Sequence, residues 1–292
     1  MPFQIEQGMW RYFSFVKIEH TLFAMPFALA SFTMALVRGG GSFSVAQLLW
    51  IVLCMVFARS AAMGFNRYAD RAIDAANLRT AGRHLPAGKI SPRSALLFVW
   101  VNCALFIVSA GMLNPLCLYL SPVALAIVLG YSYTKRFTAL CHFVLGLGLA
   151  IAPMGAWLAV TGSFHVLPLL LSAAVLFWTG GFDVIYALQD QTFDRDRKLF
   201  SLPARLGAEG ALKISSAVHL LAAVILAVLG RVGSFGLLYW VGFALFAVIL
   251  VWQHRIVSPQ KHDRAEEAFF YGNSVAAAIF SAFLIADLLV FG

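Results

Sequence analysis

Residues 45–65 read VAQLLWIVLCMVFARSAAMGF, an apolar run that contains one charged residue, Arg59. A helix of about 20 such residues crosses the roughly 30 Å hydrocarbon layer of a bilayer. The rest of the chain has the same character, because 61% of its 292 residues are hydrophobic, 12% are charged and the mean hydropathy is +0.85. A soluble domain cannot bury so large an apolar fraction. The composition therefore indicates an integral membrane protein and excludes disordered, fibrous and disulfide-framework classes.

Eight further apolar runs also predict membrane-spanning helices. They lack the alternation of a barrel wall, so strands are not expected. The nine predicted spans are Leu22–Leu36, Val45–Phe65, Ala95–Leu113, Leu116–Tyr133, Leu140–Val160, Leu167–Leu188, Leu212–Leu229, Leu237–Trp252 and Phe269–Phe291. The sequence thus predicts an all-α polytopic membrane protein, and no cleavable signal peptide is expected before the first span.

The Lys and Arg residues predict the orientation of the chain, because such residues collect in the cytoplasmic loops of membrane proteins. Only Arg38 and Arg231 lie in loops on one side, whereas all other basic residues outside the spans lie on the side of the N-terminus. We therefore expect a multi-pass protein of the cytoplasmic membrane with its N-terminus in the cytoplasm. This topology also explains the net charge of +8, so a nucleic-acid partner is not expected.

The two longest cytoplasmic loops each contain the pattern Asp-x-x-x-Asp. The first pair is Asp70 and Asp74, and the second pair, Asp190 and Asp194, follows at an offset of 120 residues in both positions. Both pairs stand at the cytoplasmic end of a span. This shared register predicts an internal duplication within a single membrane domain. The two related halves are approximately residues 1–137 and 138–292.

Two polar stripes are predicted, because residues four apart on a helix share a face. The first consists of Asn66, Asp70 and Asp74, and the second of Asp190 and Asp194 with Asp183 two turns earlier. Carboxylates so spaced repel each other and are costly to bury at a membrane boundary unless a cation neutralises them. Mg²⁺ prefers oxygen ligands and typically takes one or two carboxylates plus substrate phosphates. The stripes therefore predict a Mg²⁺ site for a diphosphate that arrives within the membrane, with a cytoplasmic mouth.

Basic side chains near the acids fit the same ligand, since Arg and Lys bind phosphate oxygens. The candidates are Arg59, Arg71, Arg79, Arg83, Lys135, Arg136 and Lys198. No Walker-type sequence occurs, so nucleotide hydrolysis is not expected. A transporter of an anionic substrate and a structural scaffold with basic loops are the alternatives, although the clustering of the acids at one surface argues against a transporter. The isolated intramembrane residues Asp287 and His219 are interpreted as structural.

Three segments carry a resemblance to a known family. They are Asn66-x-x-x-Asp70-x-x-x-Asp74 with the following Arg79, Arg83, Pro86 and Gly88, the sequence YSYTKRFT at 131–138, and Asp183-x-x-Tyr186-Ala187-x-x-Asp190-x-x-x-Asp194. Over nearly its whole length the chain resembles the UbiA superfamily of intramembrane aromatic prenyltransferases. The resemblance implies nine helices around a central cavity and a Mg²⁺-dependent site for a polyprenyl diphosphate. It also implies transfer of the prenyl group to a small aromatic acid in quinone biosynthesis, at a prokaryotic inner membrane.

The expected active site has three parts. Metal ligands are expected at Asp70, Asp74, Asp190 and Asp194, with Asn66 orienting or ligating. Substrate contacts are expected from Arg59, Arg71, Arg79, Arg83, Tyr131, Lys135, Arg136 and Lys198. Asp183 and Tyr186 are expected deeper in the site, where the acceptor ring meets the allylic cation, and a tyrosine face can shield a cation from water.

The first span departs from the pattern that is usual in the 4-hydroxybenzoate enzymes of the family, which open it with an arginine and a Lys-Pro-Ile-Gly-like stretch. Here residues 16–27 read VKIEHTLFAMPF. This stretch resembles a sister group that includes prenyltransferases of the futalosine route to menaquinone. The acceptor, of hydroxybenzoate or naphthoate type, is therefore left open, and Lys17 and His20 are expected to contact it.

Overall fold

The computed structural model describes residues 12, 14–16, 23–258, 265 and 268–292, and every regular element within those residues is a helix. The helices are α1 (Met25–Arg38), α2 (Val45–Ala69), α3 (Arg71–Ala76), α4 (Pro92–Gly111), α5 (Pro115–Thr134), α6 (Cys141–Thr161), α7 (Val166–Ala187), α8 (Gln191–Asp196), α9 (Leu202–Val232), α10 (Leu237–Ile256) and α11 (Asn273–Phe291). A 3₁₀ turn, Leu188–Asp190, precedes α8, and a π-helical turn, Ala268–Gly272, precedes α11. Each predicted span overlaps a helix, so the all-α prediction is confirmed.

Eight helical segments of the described chain are long and apolar enough to cross a bilayer. Helix α1 is also apolar but has only 14 residues, which corresponds to about 21 Å of helix. The chain is therefore a multi-pass membrane protein.

Helix α9 begins ten residues before the predicted span Leu212–Leu229. Arg205, which lies between two predicted spans, is therefore in a helix, and Lys213 forms a surface ion pair with Glu209 at 2.7 Å. The reason is that this polar stretch is rich in residues of high helix propensity, so the helix extends beyond its apolar part. Gly207, with φ +72°, marks a kink in its path.

The chain forms two compact units. The first comprises Met1–Thr21 and Leu49–Tyr133, and the second comprises Leu22–Leu48 and Thr134–Gly292. The two predicted halves were defined by a repeat in the sequence. The division into compact units does not test that repeat, so the two halves stay a prediction.

The first unit has its core where α2, α4 and α5 meet. Ala61 of α2 packs with Cys103 and Phe106 of α4 and with Leu125 of α5, and all four side chains are buried. Cys103 thus serves as a packing residue. This core holds the C-terminal end of α2, from which the first acidic segment continues.

The second unit is organised around α7, which packs on both α6 and α9. Trp178 of α7 is almost fully buried, and its ring lies 5.2 Å from Phe27 of α1 and 6.1 Å from Phe246 of α10. Helix α1 also packs on α6 and α11, and the Ser31 hydroxyl donates to the Pro153 carbonyl at 2.6 Å. This core fixes the end of α7, from which the second acidic segment continues.

The predicted structural roles of two intramembrane polar residues agree with their bonds. Asp287 of α11 accepts the backbone N–H groups of Gly236 and Tyr239 at 2.8 and 3.1 Å, which satisfies donors at the start of α10. His219 is buried and its Nε2 lies 3.1 Å from the carbonyl of Trp178. Both side chains therefore join helices within the second unit.

Candidate active site

The two acidic segments have the same local structure. Asp70 and Asp190 have nearly equal backbone angles, φ −91° and ψ 5° against φ −105° and ψ 6°, and each stands immediately before a six-residue helix. Asp74 and Asp194 occupy the fourth position of these helices, and both are buried. The predicted stripes are thus not continuous helices, because α2 ends before Asp70 and a 3₁₀ turn separates α7 from α8.

In the first unit the acids are held by neighbouring polar groups. The Asn66 amide donates to Asp70 Oδ2 at 3.2 Å, and Arg83 Nη1 donates to Asp74 Oδ1 at 2.7 Å. The Thr80 hydroxyl donates to the Asp74 carbonyl at 3.0 Å, which fixes the turn after α3. The structure thus brings together Asn66, Asp70, Asp74 and Arg83 in one segment of the chain.

One carboxylate oxygen of this group, Asp74 Oδ2, is buried and has no hydrogen-bond partner among the residues that the structure describes. A buried carboxylate oxygen is costly to leave without a donor or a cation. This oxygen therefore suits coordination of a hard cation such as Mg²⁺.

The other basic candidates of the first unit differ in position. Arg59 is half-buried within α2, two turns before Asn66. Arg71 is exposed, and its guanidinium stacks 4.5 Å from the Tyr68 ring and donates to the Tyr68 carbonyl at 2.7 Å. Arg79 is also exposed. Of these three arginines, only Arg59 is embedded in a span.

In the second unit, Asp183 lies on α7 two turns before Asp190, and Tyr186 follows at the end of the same helix, half-buried. Asp183 Oδ2 lies 2.7 Å from His142 Nδ1. The Asp194 carboxylate is buried, and Ser201 and Lys135 are among the groups that act on its charge. Acids and a lysine of the predicted site are therefore gathered around the end of α7.

The remaining residues that were predicted to contact substrate are exposed or half-buried, or lie outside the residues that the structure describes. Arg136 and Lys198 are exposed, and Lys198 adopts a left-handed backbone with φ +54° just after α8. Tyr131 is half-buried near the end of α5. Lys17 and His20 lie outside the described residues.

Two residues near the acids were not singled out from the sequence. Arg67, interpreted as a loop residue, is buried in the last turn of α2 beside Asn66. His142 is buried at the start of α6, and its partner Asp183 is 41 residues further along the chain. A histidine in the first turn of an apolar run was the only available signal for His142.

The chain matches the UbiA prenyltransferase family over residues 24–275. A curated relative, 4-hydroxybenzoate octaprenyltransferase of Aeromonas hydrophila, is 31% identical over 241 residues, which cover 81% of this chain and 84% of the relative. The apo structure of a UbiA homolog from Aeropyrum pernix K1 superposes with a TM-score of 0.83 at 35% identity, covering 92% of this chain and 98% of the homolog. A UbiA homolog from Archaeoglobus fulgidus bound to DMAPP and Mg²⁺ has a TM-score of 0.74 at 20% identity, covering 96% of this chain and 100% of that one, and shows the same fold.

Proposed function

The chain belongs to the UbiA prenyltransferase family, and on that premise we propose that it transfers a polyprenyl group from a polyprenyl diphosphate to a small aromatic acid. The observation that carries this proposal is the repeated acidic structure. Asp70 and Asp190 each precede a short helix with a buried aspartate, Asp74 or Asp194, at its fourth position. Two such pairs suit a diphosphate that is bound through divalent cations.

Mg²⁺ is the proposed cofactor, with Asp70, Asp74, Asp190 and Asp194 as ligands and Asn66 as an orienting or ligating residue. Among the described residues, no three His, Cys, Asp or Glu side chains converge on one point. Mg²⁺ is usually bound by one or two carboxylates together with water and substrate phosphates. The Mg²⁺ and DMAPP bound to the homolog from Archaeoglobus fulgidus support the same assignment. Bound Mg²⁺ would supply positive charge at the departing diphosphate.

The basic side chains of the chain stabilise the same leaving group in this proposal. Cleavage of the allylic C–O bond places negative charge on diphosphate, and preorganised cationic donors favour that change. The residues assigned to this task are Arg59, Arg71, Arg79, Arg83, Lys135, Arg136 and Lys198. Of these, Arg83 also orients Asp74 through its 2.7 Å hydrogen bond.

The acceptor is proposed to bind beside Asp183, Tyr186 and Tyr131, where its ring would meet the allylic cation. The curated relatives are named 4-hydroxybenzoate octaprenyltransferases, which supports a hydroxybenzoate-like acid and a role in ubiquinone or menaquinone biosynthesis. Lys17 and His20 are proposed to contact this acid.

The decisive experiment incubates the purified protein with a polyprenyl diphosphate, Mg²⁺ and a panel of hydroxybenzoate and naphthoate acids. A prenylated product and equimolar diphosphate are expected, and EDTA should abolish both. Uptake of an anion into proteoliposomes without product formation would instead favour a transporter. The acid that gives the highest kcat/KM identifies the acceptor class.

Lys17→Met tests the acceptor assignment. A small aromatic acid has few polar groups, so loss of one charged hydrogen bond should cost roughly 1.5 to 3 kcal/mol of binding. The expected result is a raised KM for the acceptor with an unchanged KM for the donor. An equal rise of KM for both substrates, or no rise for either, would contradict a contact between Lys17 and the acceptor.

A further inference from the structure

His142 is a buried histidine whose two ring nitrogens both have partners. It is the second residue of α6 and is 2% exposed. Nδ1 lies 2.7 Å from Asp183 Oδ2 on α7, and the backbone N–H of Leu202, the first residue of α9, donates to Nε2 at 3.2 Å. The imidazole therefore links three helices of the second unit.

These two contacts fix where the ring carries its proton. The Leu202 N–H can only donate, so His142 Nε2 must be the acceptor and carry no hydrogen. The proton of the neutral ring is then on Nδ1, from which it is donated to the Asp183 carboxylate. This tautomer orients the carboxylate in the way that outer hydrogen-bond partners orient functional side chains.

The residues beside His142 fasten the same region. The Cys141 thiol lies 3.3 Å from the Phe200 carbonyl, and the Phe200 N–H donates to the Lys135 carbonyl at 2.6 Å. The start of α6 thus holds Asp183 on one side and the Phe200–Leu202 segment on the other.

Asp183 keeps part of its carboxylate available for a ligand. Its side chain is 22% exposed, whereas that of His142 is 3% exposed. The contact with His142 engages Oδ2. The second oxygen, Oδ1, is then the one that can accept a hydrogen bond from a substrate hydroxyl.

We propose that His142 is a positioning residue for the aromatic acceptor, a role that rests on the proposed function. By donating from Nδ1 it holds Asp183 so that Oδ1 accepts a hydrogen bond from the hydroxyl of a hydroxyaromatic acid. Through Nε2 it fixes Asp183 relative to the Phe200–Leu202 segment. His142 does not touch the diphosphate in this proposal, so its main effect is expected on the acceptor.

Two substitutions distinguish the roles of the two ring nitrogens of His142. In His142→Asn the amide nitrogen can occupy the place of Nδ1 and donate to Asp183. In His142→Gln the longer amide reaches the place of Nε2 and can accept from Leu202, but leaves Asp183 without its donor. We expect His142→Gln to lower kcat/KM for the acceptor at least tenfold with donor KM unchanged, and His142→Asn to recover most of that loss.

A double-mutant cycle with Asp183→Asn distinguishes positioning from a general structural role. If His142 acts through Asp183, His142→Gln should have no further effect on the acceptor kcat/KM in the Asp183→Asn background. Three results would overturn the proposal. They are equal losses of kcat/KM for donor and acceptor, equal losses of acceptor kcat/KM in His142→Asn and His142→Gln, and additive effects of the two substitutions in the cycle.

The tautomer can be measured in the wild-type protein, which covers the case in which His142→Gln does not fold. Histidine ¹⁵N NMR should show one ring protonated at Nδ1 only, with its signals shifted in Asp183→Asn. A ring protonated at Nε2, or no effect of Asp183→Asn, would contradict the proposal. If the wild-type protein forms no prenylated product, the proposed function fails, while this NMR result still tests the His142–Asp183 contact by itself.

Discussion

At Asp70 and at Asp190 the helical backbone is interrupted. Each of these residues directly precedes the short helix that carries the second acid of its pair. We expect Asp70→Ala or Asp190→Ala to lower kcat at least about 100-fold, because each removes a proposed ligand of the Mg²⁺ that would stabilise the departing diphosphate. Turnover at saturating Mg²⁺ and unchanged thermal stability in detergent are the measurements.

Asp196 provides a matched control for these variants. It lies in the same short helix as Asp194, but it is exposed. Asp196→Ala should retain near-normal turnover. If Asp190→Ala performs as well as Asp196→Ala, then Asp190 is not a metal ligand and the two-pair site is wrong.

The acid pairs could be predicted from the sequence, whereas their supporting residues could not. Asp70 and Asp74 can be recognised by a four-residue spacing that recurs 120 residues later. His142 has partners 41 and 60 residues away, and no local periodicity connects them. Long-range hydrogen bonds of this kind depend on the packing of α6, α7 and α9, which composition and spacing do not specify.

At the scale of elements, the close approach of α6 and α7 depends on Gly146. A Cβ atom added at this residue would lie 2.3 Å from the Leu176 carbonyl oxygen, a backbone atom that cannot move aside without shifting α7. Gly146→Ala should therefore lower the Tm of the purified protein, with a cost of about 1 to 3 kcal/mol from overpacking.

Gly155 is the control within the same helix, because a Cβ atom there meets nothing within 4 Å. Gly155→Ala should leave Tm unchanged or raise it slightly, since alanine has the higher helix propensity. Equal destabilisation by both substitutions would show that α6 does not tolerate alanine for reasons other than contact with α7.

Asp287 links two further elements by satisfying N–H groups at the start of α10 from its place on α11. Asp287→Ala should destabilise the protein by about 1 to 3 kcal/mol, because buried donors lose their acceptor. Asp287→Asn keeps one acceptor oxygen and should cost less. Thermal unfolding in detergent measures both, and turnover per folded molecule should stay close to that of the wild type. A large loss of turnover at normal stability would contradict a structural role.

The spans were predictable because hydrocarbon requires long apolar runs, and each run became a helix. The interruptions at Asp70 and at Leu188–Asp190 were not predictable, because the residues there are compatible with helix and four-residue spacing continues through them. The extension of α9 to Leu202 was missed for the opposite reason, since hydropathy does not detect a polar stretch that remains helical.

At the scale of the whole molecule, the distribution of basic residues predicts that the loops around Arg79 and Arg197 are both cytoplasmic and that Gly292 is external. The test introduces single cysteines at these positions after replacement of Cys54, Cys103, Cys117 and Cys141. A membrane-impermeant maleimide added to intact cells should label only the cysteine at position 292. Labelling of one cytoplasmic position but not the other would place the two acid pairs on opposite faces of the membrane.

The membership of α1 in the second unit has a consequence for biosynthesis. Helix α1 is translated before the helices on which it packs, because α6 and α11 follow it at a distance in the chain. At about 5 to 20 residues per second, α11 leaves the ribosome roughly 12 to 50 seconds after α1. Leu49–Tyr133 is continuous and can pack as soon as it has been inserted, whereas α1 lacks its contacts with α6 until that helix is inserted, and its contacts with α11 for longer still.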